Sequence, residues 1–157
     1  LDPLIAQFDS SRANEGAALH AILSKRLDDI DRLIAVARDA VGDRHVHQRA
    51  ALDAALARIL DATDMPDEAR LMQEMAVIAV KSDISEEIDR LVAHVAAARD
   101  LLATKGAIGR KFDFLMQEFN REANTLCSKS QSTALTQAGL DLKTVIDQMR
   151  EQVQNIE

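Results

Sequence analysis

The chain reads as an all-α protein, an antiparallel helical domain of about six helices with a long N-terminal one. Three observations predict it. Apolar residues recur at helical spacing along most of the length, and no stretch alternates with the period of a strand. Aromatic residues make up only 3%, with no Trp or Tyr, so Leu, Ile, Val, Ala and Met must fill the core, which suits packed helices. Helix punctuation recurs at Asp2-Pro3, Pro66, Asp83 with Glu86, Gly106 and Ser132.

Asp2-Pro3 opens the first helix, a capping side chain followed by proline at the first helical position. From there to about Ala40, Leu19, Ile22, Leu23, Leu27, Ile30, Leu33 and Ile34 recur on one face. Gly16 is tolerable within it, at about 1 kcal/mol. Gly42-Asp43 is expected to break the helix, leaving residues 1–42 as a long projecting helix and 43–157 as a helical bundle. A second helix is expected from about Arg44 to Ala62, and a third reopens near Pro66. The third, to about Lys81, is apolar almost all round and reads as a central, mostly buried helix. Asp83 followed by Glu86 resembles a capping box for a fourth helix, which stops near Lys105-Gly106. The fifth spans Gly109 to Lys129, and Ser132 caps a sixth that reaches the end.

Bulk chemistry narrows the function. The net charge of −7 argues against unaided, non-specific nucleic-acid binding, because phosphate affinity rests on Lys and Arg. The balance is uneven, however. From Lys105 to Lys129, five basic residues face three acidic ones, making one mildly basic strip that suits RNA. No apolar run approaches a membrane span, so no membrane partner is expected. The lone Cys127 excludes an internal disulfide, fits a reducing cytoplasm, and reads as apolar filler. Walker A loops, Gly-rich dinucleotide turns and zinc-type Cys/His spacings are missing, so no small-molecule cofactor is expected.

The fifth helix carries the most information. Phe112, Leu115, Met116, Phe119, Ala123, Leu126 and Cys127 share one face. Glu118, Glu122, Lys111 and Lys129 line one flank; Asp113, Gln117, Arg121, Asn124 and Ser128 line the other. On the fourth helix Glu87, Arg90 and His94 sit together beside an apolar stripe of Ile84, Ile88, Leu91, Val95, Ala98 and Leu102. In an antiparallel hairpin the two flanks converge and gather Glu87, His94, Glu118 and Glu122. Three carboxylates and an imidazole suit Mn²⁺ or Mg²⁺. The competing reading is a salt-bridged helix flank, with Glu118 and Glu122 neutralised by Lys111 and Lys129. Phe114 projects from the polar face, either for burial against another helix or subunit, which is favoured, or as a stacking platform for an RNA base.

The window Gly109–Lys129, the stretch Asp83–His94 and the ending Met149–Glu157 together resemble the YicC/YloC family of bacterial endoribonucleases. The resemblance runs through most of the chain. Members are longer and carry an additional N-terminal domain, so it implies that residues 1–157 are a C-terminal helical portion with that domain absent. It also implies a divalent-cation-dependent endoribonuclease, preferring Mn²⁺, that assembles as a homo-hexamer and cuts RNA held inside. On this basis Glu118, Glu122 and His94 are the catalytic candidates, with Glu87 joining them as a metal ligand. Arg90, Arg110, Arg121 and Lys129, with Phe114, are the RNA-contact candidates. The alternative is a non-catalytic scaffold for oligomerisation or RNA clamping, with the active site in the missing domain.

Overall fold

The computed structural model describes residues 2–60, 72, 84–104, 106–130 and 132–154, with side chains from Pro3 to Gly42 in the first stretch. Among these residues it is all-helical, with four helices rather than about six: α1 (Asp2–Leu60), α2 (Ser85–Ala103), α3 (Gly109–Lys129) and α4 (Thr133–Gln154).

The difference has two sources. The expected break at Gly42-Asp43 does not occur, so the first two expected helices are one continuous helix of 59 residues, about 88 Å long at 1.5 Å per residue. Glycine inside a helix costs about 1 kcal/mol without removing a hydrogen bond, and no proline follows to force a stop. The apolar repeat also keeps α1 docked as far as Ala40 and Val41, just before Gly42. The expected third helix, Pro66 to Lys81, lies outside the described residues apart from Met72, as does Asp83 of the expected capping box.

Cross-helix pairs fix the directions. Arg38 meets Asp89 at 3.3 Å while Arg99 meets Asp28 at 2.7 Å, so α1 and α2 run antiparallel. Lys129 meets Glu87 at 2.8 Å and Arg90 meets Glu122 at 3.3 Å, so α2 and α3 do too. Arg150 meets Asp113 at 3.0 Å and Asn120 meets Asp147 at 3.0 Å, which sets α4 against α3. Since α4 also packs on α1, the four helices close an up-down-up-down bundle. Its core is aliphatic apart from Phe112 and Phe119 on α3, both fully buried.

Local chemistry sets the turns that place the site. Gly106, between α2 and α3, has φ +107°, a backbone state that side chains other than glycine's disfavour. The Thr104 hydroxyl donates to the Leu101 carbonyl at 2.7 Å, closing the end of α2. The Leu135 N–H donates to Ser132 Oγ at 3.1 Å, the cap expected for the last helix. Gly139 lets α4 approach α3 closely: a Cβ there would overlap Cys127 Sγ and lie 3.1 Å from Leu126 Cδ2. At its other end α1 runs past the bundle, and residues 3–18 are all exposed, including Leu4, Ile5 and Phe8.

Candidate metal centre

The apolar stripe of α2 decides which way its polar flank looks. Ile84, Ile88, Leu91, Val95 and Ala98 are buried, so Glu87, Arg90 and His94 are turned toward α3. On α3, burial of Phe112, Leu115, Met116, Phe119, Ala123 and Leu126 leaves Glu118 and Glu122 one turn apart on the flank facing α2. The short connection around Gly106 sets the register. Glu87 comes opposite Lys129, Arg90 opposite Glu122, and the His94 ring meets Phe119 edge-on with centroids 5.4 Å apart.

In this register His94, Glu118 and Glu122 each place one ligand atom within 4.8 Å of the others. Glu122 is 3% exposed, while His94 and Glu118 are half-buried. His94 Nε2 is shut away from solvent and has no hydrogen-bond partner. A buried ring nitrogen left unpaired is costly to maintain unless something meets it.

Glu87 stands apart from this group. It is buried and ion-paired to Lys129, with its second oxygen, Oε2, buried and unpartnered. The hairpin therefore brings together three of the four expected ligands. The salt-bridged flank of the competing reading is present as well, built with Arg90 and Arg121. Glu122 Oε1 accepts from Arg90 Nη1 at 3.3 Å, and Arg121 lies 4.0 Å from Glu118.

Arg90 has a second hold. Its other terminal nitrogen donates to Glu86 at 2.5 Å, one turn back on α2. The hydrogen bond to Glu122, then the charges of Glu86 and Glu122, raise the guanidinium pKa above its ordinary value, so the cation is secure. Glu86, expected from sequence as a capping residue, instead holds Arg90, and its i, i+4 spacing to Arg90 is a legible ion-pair signal.

The remaining candidates line the outer surface of α3. Arg110, Phe114 and Arg121, with Gln117, lie within about 60° on the helical wheel, and all four are exposed. Phe114, at 63% exposure, is not covered by any helix of the described residues. On the far flank Asp113 accepts from Arg150 at 3.0 Å, Gln154 at 3.1 Å and, through its other oxygen, Gln117 at 2.9 Å. Arg150 is the first cause of an Asp113 pKa below its ordinary value.

Comparison with known proteins gives this geometry a context. The family model for endoribonuclease YicC-like proteins, C-terminal, matches residues 37–157. The chain is 43% identical to the "Probable endoribonuclease YicC" of Haemophilus influenzae, an alignment covering 99% of this chain and 53% of that protein. It is 37% identical to the protein of the same name from Clostridioides difficile, over 100% of this chain and 54% of the relative. The chain thus spans about half the length of the curated relatives it matches. With a match over most of its length and the expected helical architecture, the chain belongs to the YicC-like endoribonuclease family, in the part that carries the family's C-terminal region.

Proposed function

We propose that this chain supplies the metal centre of a divalent-cation-dependent endoribonuclease that cleaves phosphodiester bonds in cytoplasmic RNA as a homo-oligomer, a hexamer on the family resemblance. Mn²⁺ is the favoured ion and Mg²⁺ the substitute. The observation that carries the reading is the meeting of His94, Glu118 and Glu122 within 4.8 Å, with His94 Nε2 buried and unpartnered.

The donor set fits such an ion. Two carboxylates with one imidazole match the preferences of Mn²⁺, and an octahedral ion with bonds of roughly 2.1 Å sets its ligand atoms about 3–4 Å apart. When bound, the ion supplies Lewis-acid stabilisation of the charge that develops on phosphate oxygens. The protein's part is to hold these groups at rest. Packing of Phe119 against His94 fixes the ring, and burial fixes Glu122. Arg110 and Arg121 stand on the exposed stripe beside the cluster, suited to grip phosphate, with Phe114 between them to stack on a base.

The test is RNA cleavage by the full-length protein with Mn²⁺ or EDTA, beside a Glu118→Gln/Glu122→Gln double variant of unchanged oligomeric state. The expected loss exceeds the about 100-fold typical of removing an outer partner of a metal ligand. Cleavage by the variant at the wild-type rate would instead make the cluster structural. It would favour the second reading, a scaffold for assembly or RNA clamping, which the exposed apolar residues Leu4, Ile5 and Phe8 on the tip of α1 support.

A further inference from the structure

Arg90 occupies an unusual position for a residue expected to bind RNA. It already spends one nitrogen on Glu122, a member of the metal cluster, and another on Glu86. The two contacts are unequal. The Glu122 carboxylate is buried and its bond to Arg90 is long, at 3.3 Å, and comes from the neighbouring helix; the Glu86 carboxylate is 69% exposed and lies one turn back on the helix that carries Arg90. The Arg90 side chain is itself half exposed, so it can leave Glu122 while keeping Glu86. Glu122 is buried at 3% exposure and needs a positive partner in either state.

We propose that Arg90 is the internal counter-cation of the metal centre: a divalent ion displaces it from Glu122, and the released guanidinium, still tethered to Glu86, becomes available to an RNA phosphate. The inference rests on the metal reading of His94, Glu118 and Glu122. Its physical basis is competition of two cations for one buried carboxylate. A guanidinium aimed at Glu122 is poorly placed for phosphate; one freed from it can offer a paired N–H fork. Metal and RNA therefore bind cooperatively, and because coupling is reciprocal, RNA tightens the metal as much as the metal tightens RNA. Without metal, the same pair keeps Glu122 neutralised and the RNA grip weak.

The experiment uses the full-length protein, with Mn²⁺ binding followed by the loss of the free-ion EPR signal. RNA binding is followed with a fully 2′-O-methylated oligonucleotide that is recovered intact. In the wild type, saturating Mn²⁺ is expected to raise oligonucleotide affinity about tenfold, within the usual range of coupling between sites. In Arg90→Gln, Mn²⁺ is expected to bind several-fold tighter, and its effect on oligonucleotide affinity to fall below about twofold. The penalty of Arg90→Gln on RNA binding should therefore be large with Mn²⁺ and small without it, a split that a merely structural role would not produce. Equal penalties with and without Mn²⁺, or unchanged Mn²⁺ affinity in Arg90→Gln, overturn the proposal while leaving the metal site standing. If neither protein binds Mn²⁺ and the Glu118→Gln/Glu122→Gln variant still cleaves RNA, the metal reading falls and the proposal with it.

Discussion

Asp113 illustrates how much one side chain can organise on the seam between α3 and α4. It accepts from Gln117 on its own helix and from Arg150 and Gln154 on the next, so its charged form is favoured by folding. Its folded-state pKa is lowered from the ordinary 3.8, first by the hydrogen bond from Arg150. The sign follows directly: this stabilisation is complete above the unfolded-state value and is lost as pH falls through the lower folded value. Urea unfolding at pH 7, 4 and 3 should show wild type exceeding Asp113→Asn at neutral pH, with the gap closing below about pH 4. A gap that does not change with pH would mean that packing, not charge, explains the contact. The partners of Asp113 were hidden from sequence reading. The helical wheel places it on a polar flank, but the register that brings Arg150 across lies in tertiary packing. The same limit explains Lys129. Its helical position groups it with Glu118 and Glu122, yet its long stem reaches Glu87 on the neighbouring helix.

At the scale of the element, α2, α3 and α4 are legible because their buried faces and most of their ends agree; the start of α2 differs, with Ile84 before Ser85 and no side-chain cap in place of the expected Asp83–Glu86 box. The apolar stripe of α2 is the buried one; Ser132 caps α4; and Gly106 takes the positive φ that a glycine stop implies. Meeting of His94 with Glu118 and Glu122 was also readable, since a short hairpin connection leaves few registers once both apolar faces are buried. The exception is Gly42, where a local preference worth about 1 kcal/mol predicts a boundary that the continuous α1 does not show. Helix continuity there is held by the packed stretch before it, so the glycine is tolerated rather than used. Space around it is open: an added Cβ at Gly42 meets nothing within 4 Å. Gly42→Ala should therefore stabilise by about 0.5–1 kcal/mol, seen as a raised urea midpoint at unchanged slope. A loss of stability would show that the glycine serves a bend after all.

For the whole molecule, the governing fact is the mismatch between α1 and the bundle that holds it. Helices α2 to α4 are 19 to 22 residues long, whereas α1 has 59. Among the described side chains, core contacts from α1 run from Leu19 to Val41; residues 3–18 are exposed, with Arg12, Glu15 and Gly16 lining a cavity beside Gly106, Ile108 and Phe112. Among the described residues, no helix is long and apolar enough to cross a membrane, so the exposed Leu4, Ile5 and Phe8 are not part of a span. Their arrangement suits a contact between subunits in the proposed oligomer. Removing residues 1–18 from the full-length protein should lower the mass measured by light scattering while leaving the bundle's thermal midpoint within a few degrees. Retention of the full oligomeric mass would assign assembly to another surface.

The close approach at Gly139 turns the chain's only cysteine into a natural reporter. Cys127 Sγ rests where α4 presents no side chain, and the thiol is partly sheltered. A labelling reagent has one address in this chain, and it reacts faster each time α3 and α4 breathe apart. Without introducing any probe, the rate of thiol modification becomes a clock for opening of that seam. Because α3 also carries Glu118 and Glu122, the clock keeps time for the candidate centre itself: slower labelling on adding Mn²⁺ would register the ion from the opposite side of the helix.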